Sequence, residues 1–377
     1  MNILVMSVRA GYGHHSTGKA IIEYLQNAGH RCEMLDIFDY INPLLGNSIQ
    51  DGYLLSTKYL SQYYGRIYGK LTEKDEPYNK HSITAILSNA VSKRLRQYVY
   101  EFEPDAIIGT HSYAGVVTTI LKKQKVCTCM TYGIVTDFTV HPFWESTELD
   151  YYVIPDELLG YQMQKKGIDK RTLLPIGIPR RQQFSKKNDT HEARQKLGIA
   201  DKQTILIMMG SMGYGNVSQS LEVLDEFDAD FQVLCVCGSN EKLRSMLDQK
   251  TYSKEIHIYG FVNNVDVMMD ASDIIISKPG GLTTSEAFAK GLPMITMNPL
   301  PGQEDRNTDF LVNCGAVIAV NDRFHLNEAL NQIFNCSWRL DHMNESVKHI
   351  GKPESTKNLC EFIISNYLKK KKRSLWK

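Results

Sequence analysis

The 377-residue sequence has no apolar run near the roughly 20 residues that a membrane-spanning helix requires, so we expect no transmembrane segment. Its eight cysteines show no zinc-ligand spacing. The C-x-C pairs Cys127/Cys129 and Cys235/Cys237 would each point both thiols to one face of a strand, so no metal site is predicted. The net charge of only +1 argues against a nucleic-acid partner. No signal sequence is recognised, and we therefore expect a reduced, cytoplasmic setting.

The composition that remains is that of a folded globular protein. Hydrophobic residues make up 42% of the chain and charged residues 23%, and the length suits two domains. The charge is uneven, because the last nine residues, Lys369–Lys377, carry six basic side chains. The rest of the chain therefore sums to −5, which is +1 minus 6. This basic end is a candidate for contact with an anionic surface.

Short apolar runs alternate with amphipathic stretches along the chain, which predicts parallel strands connected by helices. The pattern starts again after the polar stretch Arg180–Asp189, so we predict two Rossmann-like domains, residues 1–185 and 186–345. Residues 346–377 are predicted to form a last helix and a basic tail. The predicted strands are Met1–Val8, Asp105–Thr110, Val126–Val135, Tyr151–Pro155, Thr204–Met209, Phe231–Gly238, Glu255–Gly260, Asp273–Ser277 and Pro293–Met297. Ligands of such sheets bind in the loops after the strands.

Three loops of the second half carry residues suited to a nucleotide-sugar. The glycines of Gly210–Gly215 (GSMGYG) and Lys278–Glu286 (KPGGLTTSE) let backbone amides approach a diphosphate. The threonines of the second loop are candidate helix caps, with Glu286 two to three residues inside the helix and suited to ribose hydroxyls. The third loop, Pro299–Asn307, offers side chains for sugar hydroxyls. For Lys278–Glu286, the alternative is a capped surface helix in which Glu286 is solvated.

The run SKPGGLTTSEAFAKGLPMITMNPLPGQEDRNTDFL resembles the donor-binding signature of glycosyltransferase family 28, which includes galactolipid synthases and processive diacylglycerol glucosyltransferases. The resemblance implies an α/β GT-B fold, in which two Rossmann-like domains face each other across a cleft. It also implies that the donor is a UDP-sugar, and that the last helix packs back on the first domain. The implied donor-binding residues are Gly13, Arg180, Ser211, Gly213, Phe261, Val262, Gly280, Gly281, Thr283, Thr284, Glu286, Gln303, Glu304 and Asn307.

The first loop of the chain, Ala10–Ser16 (AGYGHHS), contains the predicted catalytic base. Transfer of a sugar to a hydroxyl needs a group that removes the proton, and a histidine suits that task. His14 falls on the histidine of the G-x-G-H motif in diacylglycerol-type members of the family. A cap or surface role is the alternative for this residue.

A second polar cluster, Thr136–Trp144 (TDFTVHPFW), resembles the T-D-x…H-P-x-W segment of the galactolipid synthases. The resemblance implies that Asp137 orients His14 or an acceptor hydroxyl, and that His141 and Trp144 border the acceptor. Core packing is the alternative for Trp144. His111 ends a predicted strand and is a further candidate for the same region.

The stretch Pro43–Tyr78 is rich in tyrosine, and we predict that Tyr64 and Tyr68 contact the lipid acceptor or the membrane. Packing of a tyrosine-rich helix on its own domain is the alternative. The basic tail favours attraction to anionic lipid. Together these features predict a protein that is peripherally associated with an anionic membrane surface.

The predicted activity is an inverting transfer of a hexose, glucose or galactose, from a UDP-sugar to diacylglycerol or a related lipid, without cofactor or metal. Alternatives are a soluble or peptidoglycan-precursor acceptor, a hydrolysing UDP-N-acetylglucosamine 2-epimerase, and a UDP-sugar sensor without turnover. An NAD dehydrogenase is disfavoured, because GYGHHS lacks the G-x-G-x-x-G spacing.

Overall fold

The computed structural model describes residues 1–8, 12–41, 93–210 and 215–375. Contacts divide the chain into two compact units. Unit 1 comprises Met1–Gln182, Pro301–Gln303 and Glu354–Lys377, and unit 2 comprises Gln183–Leu300 and Glu304–Pro353. The change from unit 1 to unit 2 falls close to the predicted boundary at residue 185. Within the described ranges, no helix combines the length and the apolar character that a bilayer span needs.

Unit 1 is built on a parallel sheet of six strands in the order β2-β1-β3-β4-β5-β6. The strands are β1 (Asn2–Ser7), β2 (Arg31–Asp36), β3 (Ala106–Gly109), β4 (Met130–Ile134), β5 (Tyr151–Val153) and β6 (Leu173–Leu174). The helices before unit 2 are α1 (Tyr12–Asn27), α2 (Ile37–Ile41), α3 (Lys93–Phe102), α4 (Ser112–Lys123) and α5 (Gly160–Lys165). Short 3-10 helices cover Pro142–Ser146, Glu157–Leu159, Lys170–Thr172 and Gln182–Phe184.

Unit 2 has its own parallel sheet of six strands, in the order β12-β11-β10-β7-β8-β9. The strands are β7 (Thr204–Met208), β8 (Gln232–Val236), β9 (Ile256–Tyr259), β10 (Ile274–Ser277), β11 (Met294–Thr296) and β12 (Val317–Ala319). The helices are α6 (Thr190–Leu197), α7 (Val217–Glu226), α8 (Glu241–Asp248), α9 (Val265–Ala271), α10 (Gly281–Ala289), α11 (Gln303–Asn313), α12 (Leu326–Asn335) and α13 (Ser337–Ile350). A last helix, α14 (Ser355–Leu375), returns to unit 1 and packs on α1.

Both sheets have buried central strands, which explains their continuous apolar sequences. In β1 the side chains from Ile3 to Met6 are fully buried, and in β7 those from Ile205 to Ile207 are nearly so. The strand order reverses once in each sheet, between β1 and β3 in unit 1 and between β7 and β10 in unit 2. Such a reversal opens a crevice at the carboxyl ends of the two strands, where ligands of these folds bind. Each unit therefore has one preferred place for a site.

Candidate active site

His14 lies at the strand-order reversal of unit 1, as the third residue of α1. Its Nδ1 is 2.9 Å from the carbonyl oxygen of Thr110 and 2.8 Å from the hydroxyl oxygen of Thr136. A carbonyl oxygen can only accept a hydrogen bond, so Nδ1 carries the proton. Nε2 is then left with a lone pair. The ring is thus fixed in the tautomer that a base requires.

The surroundings of His14 also keep it neutral. Burial lowers the pKa of His14 to about 4, although its hydrogen bond to Thr110 opposes the shift. Its place in the first turn of α1 also disfavours a positive charge, because the helix amides there carry partial positive charge. At neutral pH the imidazole is therefore unprotonated at Nε2, and the approach of an anion would raise its pKa.

Two further histidines share this environment. The ring centroids of His14 and His111 are 4.5 Å apart with an edge-on geometry. His111 and His141 are each the N-cap of a helix, and each accepts a hydrogen bond through Nδ1 from the backbone amide two residues later. Burial lowers the pKa of both, well below the ordinary value for His111 and to about 3 for His141, and His14 lowers both further. The loops after β1, β3 and β4 thus bring together a group of neutral imidazoles.

Trp144 lies in the core of unit 1. It is 3% exposed and packs edge-on against Tyr152, with ring centroids 6.0 Å apart. A β-carbon added at Gly115 or Gly133 would come within 2.8 Å or 2.7 Å of its ring. The structure therefore corresponds to the core-packing alternative, because these two glycines create the space that the indole fills. Asp137, in the same segment, is half-buried in the loop after β4.

Arg180, predicted to lie near the donor, has a side chain that is only 1% exposed. Its Nη1 donates to the carbonyl oxygen of Ile178 and to the hydroxyl of Ser355, each at 3.1 Å. Its backbone amide donates to Thr356 Oγ1 at 2.9 Å. The guanidinium thus connects the end of the first segment of unit 1 to the start of α14. A role in donor binding stays a prediction.

The N-terminus of α10 lies at the strand-order reversal of unit 2. Gly280 is its N-cap and makes no side-chain capping hydrogen bond, so the first amides of the helix can serve an anion. The expectation that threonines cap this helix is wrong, because the helix starts at Gly281. Thr283 is half-exposed, whereas Thr284 is fully buried with its hydroxyl 3.9 Å from the sulfur of Met294.

Glu286 lies deeper in α10 than the sequence indicated. It is the sixth residue of the helix instead of the second or third, because the helix includes both residues after Gly280 as well as the threonines. Its side chain is 9% exposed. The carboxylate is therefore one turn behind the amides at the helix N-terminus, which separates it from the place where a phosphate would bind.

The start of α11 brings three polar side chains to the same loop. Glu304 Oε2 accepts a hydrogen bond of 2.7 Å from the Leu300 amide, and its Oε1 lies 3.7 Å from Nζ of Lys278. Asn307, which the resemblance placed among the donor-binding residues, is fully buried and donates through Nδ2 to the carbonyl oxygen of Pro279 at 2.9 Å. Gln303 is the first residue of the helix and is half-buried.

The loop after β9 exposes an aromatic ring. Phe261 is 67% exposed, and Val262 beside it is half-buried. Gly260 is buried, and a β-carbon there would come within 3.0 Å of the Arg244 guanidinium. An exposed ring next to a closely packed backbone is a suitable surface for a flat base.

Several predicted residues lie outside the described ranges. They are Ser211 and Gly213 of the first glycine loop, and Tyr64 and Tyr68 with the rest of Pro43–Tyr78. Gly13, which is described, is half-buried in the first turn of α1.

Sequence reasoning missed three residues that the structure brings to the sites. Thr110 and Thr136 hold the imidazole of His14, and Lys278 faces Glu304. Each of the three directly or almost directly follows a buried strand. That position is the signal that could have identified them, since strand ends of parallel sheets meet at one edge.

The two halves of the chain match two family models of sugar-transferring enzymes. Residues 14–179 match the monogalactosyldiacylglycerol (MGDG) synthase family, and residues 189–350 match glycosyl transferases group 1. A processive diacylglycerol β-glucosyltransferase from Bacillus licheniformis is 29% identical over 368 residues, covering 96% of this chain and 94% of that protein. Along both halves the chain is therefore similar to glycosyltransferases. The predictions of a hexosyltransferase and of a likeness to the glycolipid synthases are confirmed.

Solved structures show that this glycosyltransferase has the predicted GT-B fold class. MurG from Acinetobacter baumannii superimposes with a TM-score of 0.59 at 15% identity, covering 96% of this chain and 99% of that one. CalG4, the calicheamicin glycosyltransferase, gives a TM-score of 0.60 at 10% identity, covering 98% of both chains. At these identities the likeness concerns the fold alone.

Proposed function

We propose that this glycosyltransferase moves a hexose from a UDP-sugar to diacylglycerol or a related lipid at a membrane surface, with inversion at the anomeric carbon. The observation that carries the proposal is the state of His14, a neutral imidazole whose Nδ1 proton is bound to the Thr110 carbonyl. That state leaves Nε2 as the proton acceptor that an attacking hydroxyl needs. The 29% identity to a processive diacylglycerol β-glucosyltransferase supports the choice of a diacylglycerol acceptor.

In the proposed reaction His14 Nε2 removes the proton of the acceptor hydroxyl while its oxygen attacks the anomeric carbon. The bond from that carbon to the β-phosphate oxygen breaks, and its electron pair leaves with UDP. A single displacement of this kind inverts the configuration, so an α-linked donor gives a β-glycoside. The imidazolium that forms is stabilised by the negative charge of the departing UDP.

The donor is proposed to be bound in four places. The amides at the N-terminus of α10, together with Thr283, hold the diphosphate, because an unsatisfied helix N-terminus attracts anions. Glu286 accepts the ribose hydroxyls one turn behind them. Gln303 and Glu304 bind the sugar hydroxyls, and the exposed ring of Phe261 lies against uracil.

The basic end of α14 is proposed to draw the protein to anionic lipid. It carries consecutive lysines on an exposed part of the helix, and Leu368 just before them is 52% exposed. Each basic side chain close to an anionic membrane contributes about 1 kcal/mol of attraction. Lys370 also donates to the carbonyl oxygen of Thr128 at 2.9 Å, which fixes this part of the helix on unit 1.

The deciding experiment measures UDP release from a panel of UDP-sugars, with and without diacylglycerol in anionic vesicles. Release that depends on diacylglycerol, with a glycosylated lipid in the extract, would establish the proposed reaction and identify the sugar. Vesicles of the same charge without diacylglycerol are the control for surface binding alone. If UDP-sugar binds but diacylglycerol changes nothing, the lipid acceptor is wrong and soluble acceptors become the ones to screen.

A further inference from the structure

Lys278 occupies the centre of the strand-order reversal of unit 2. It directly follows β10, whose neighbour across the reversal is β7. Its Cε lies 3.8 Å from the position that a β-carbon on Gly210 would take, and Gly210 opens the glycine-rich loop after β7. Gly210 itself has a φ of +79°, which favours glycine. The lysine stem therefore reaches from the loop after β10 to Gly210, the first residue of the glycine-rich loop after β7.

The ammonium group of Lys278 is largely withdrawn from water. Its side chain is 19% exposed, and its partner Glu304 is 15% exposed. The 3.7 Å between Nζ and Oε1 is longer than a hydrogen bond, so this pair attracts without consuming the donors of the lysine. Burying an ammonium in this way is costly unless its donors are satisfied. An anion placed between the two loops would satisfy them.

We propose that Lys278 binds the β-phosphate of the UDP-sugar and stabilises it as the leaving group. This inference rests on the proposed donor site of unit 2. When the bond between the anomeric carbon and the β-phosphate oxygen breaks, the electron pair stays on UDP and its negative charge grows. A fixed ammonium at that oxygen stabilises the transition state more than the bound donor.

Lys278 carries a full positive charge, unlike the other groups proposed to bind the diphosphate. The amides at the N-terminus of α10 carry only the partial charge of the helix dipole. Because Glu304 is proposed to bind the sugar hydroxyls, the Lys278–Glu304 pair lies at the junction between sugar and phosphate. Glu304 then holds the sugar and Lys278 holds the β-phosphate, which are the two groups joined by the bond that breaks.

The rival explanation is that Lys278 only neutralises Glu304. The two explanations differ in what they predict for ligands with and without phosphate. A lysine on the β-phosphate strengthens the binding of UDP but not of uridine. If Lys278 only balances the charge of Glu304, then removing both charges leaves the binding of UDP and of uridine unchanged.

The experiment is calorimetric titration of the full-length protein with UDP and with uridine. Lys278→Met is expected to weaken UDP binding by about 10- to 100-fold, the loss of one charge-assisted contact, and to leave uridine binding within about twofold. The matched control is Lys250→Met, because Lys250 also belongs to unit 2 and pairs with Glu222 at 2.6 Å. This control should bind both ligands as the parent protein does. Thermal unfolding of each variant verifies that it is folded.

The double variant Lys278→Met/Glu304→Gln separates the two explanations. Weak UDP binding that persists in the double variant supports contact with phosphate, whereas recovery to the parent affinity overturns it. An equal loss for UDP and uridine in Lys278→Met overturns it as well. A parent protein that binds no UDP would overturn the donor site itself. A parent that binds UDP, with an unchanged variant, would overturn only the role of Lys278.

Discussion

The two strand-order reversals of this protein have the same architecture and different chemistry. In unit 1 the loops at the reversal and after the neighbouring β4 bring together His14, His111 and His141, all kept neutral by burial. In unit 2 the corresponding place has the amide end of α10 and the ammonium of Lys278. A neutral imidazole can move a proton, and a fixed positive charge can stabilise an anion. Similar sheets can therefore carry different chemistry because of the few residues that follow their strands.

The largest expected effect is the loss of His14, the proposed base in unit 1. His14→Ala should lower turnover by about 10²- to 10⁴-fold, the usual contribution of a general base. UDP affinity should stay unchanged if proton transfer belongs to unit 1 and donor binding to unit 2. The measurement combines initial rates of UDP release with calorimetric titration of UDP.

The matched control for His14 is His191→Ala. His191 lies on α6 of unit 2 and is exposed, with Nδ1 2.8 Å from Asp201. It should turn over like the parent enzyme. Turnover that survives in His14→Ala would remove His14 from the mechanism. A loss of UDP affinity in the same variant would contradict the proposal that proton transfer belongs to unit 1 and donor binding to unit 2.

The next prediction concerns stability, and it lies in unit 2 because that unit contains a buried ion pair. Lys290 Nζ lies 2.8 Å from Asp270 Oδ2, and both side chains are almost fully buried. Lys290 also donates to the carbonyl oxygen of Lys186 at 2.6 Å. Lys290→Met leaves the carboxylate buried without its charge partner, so we expect a loss of about 3–5 kcal/mol in the free energy of unfolding of unit 2. Urea unfolding followed by circular dichroism measures it.

The exposed pair Lys348–Glu345 provides the comparison for that variant. It also lies in unit 2, with side chains that are 67% and 64% exposed, and Lys348→Met should change the free energy of unfolding by less than about 1 kcal/mol. Replacing both members of the buried pair, Lys290→Met with Asp270→Leu, should cost less than the sum of the single changes. Additive losses would mean that the two charges do not stabilise each other.

Most of the fold was accessible from the sequence because buried parallel strands have continuous apolar runs. All nine predicted strands contain an observed strand. The strand β2 was missed because its sequence, Arg31–Asp36, alternates charged and apolar residues at the edge of the sheet. The strands β6 and β12 are only two and three residues long, too short for a pattern to stand out.

Of the site residues, only those that lie in a recognisable motif could be predicted from the sequence. His14 could be selected because a motif surrounds it, whereas the groups that orient it, Thr110 and Thr136, come from distant loops that only the folded sheet brings together. The start of α10 was misjudged because glycines after a strand look like a turn, although here the second glycine is already helical. Trp144 could not be assigned, since an indole suits a core as well as a ligand.

A glycine substitution tests how closely the core of unit 1 is packed under the histidine loops. A β-carbon on Gly133 would lie 2.7 Å from both Leu149 and Trp144, so Gly133→Ala should lower the free energy of unfolding by about 1–3 kcal/mol. The control is Gly160→Ala, where the nearest atom is 3.7 Å away and the backbone is helical. It should be neutral or stabilise by up to about 1 kcal/mol. Equal stabilities of the two variants, measured by urea unfolding, would contradict the packing of Trp144.

The smallest expected effect is a pH dependence of the stability of unit 1. Burial holds the pKa of His111 well below its ordinary value, so below about pH 6.5 the unfolded chain binds a proton that the folded unit refuses. Stability should therefore fall as the pH falls from 7 to 5, by up to about 1 kcal/mol per pH unit for each such histidine.

His111→Asn should flatten this dependence, because asparagine can still cap α4 but does not titrate. Fluorescence of Trp144 reports on unit 1 when Trp338 and Trp376 are replaced by phenylalanine, and urea unfolding at pH 7, 6 and 5 gives the slope. The same slope in the parent protein and the variant would show that His111 is solvated in solution. The electrostatic difference between the two units would then rest on His14 and His141 alone.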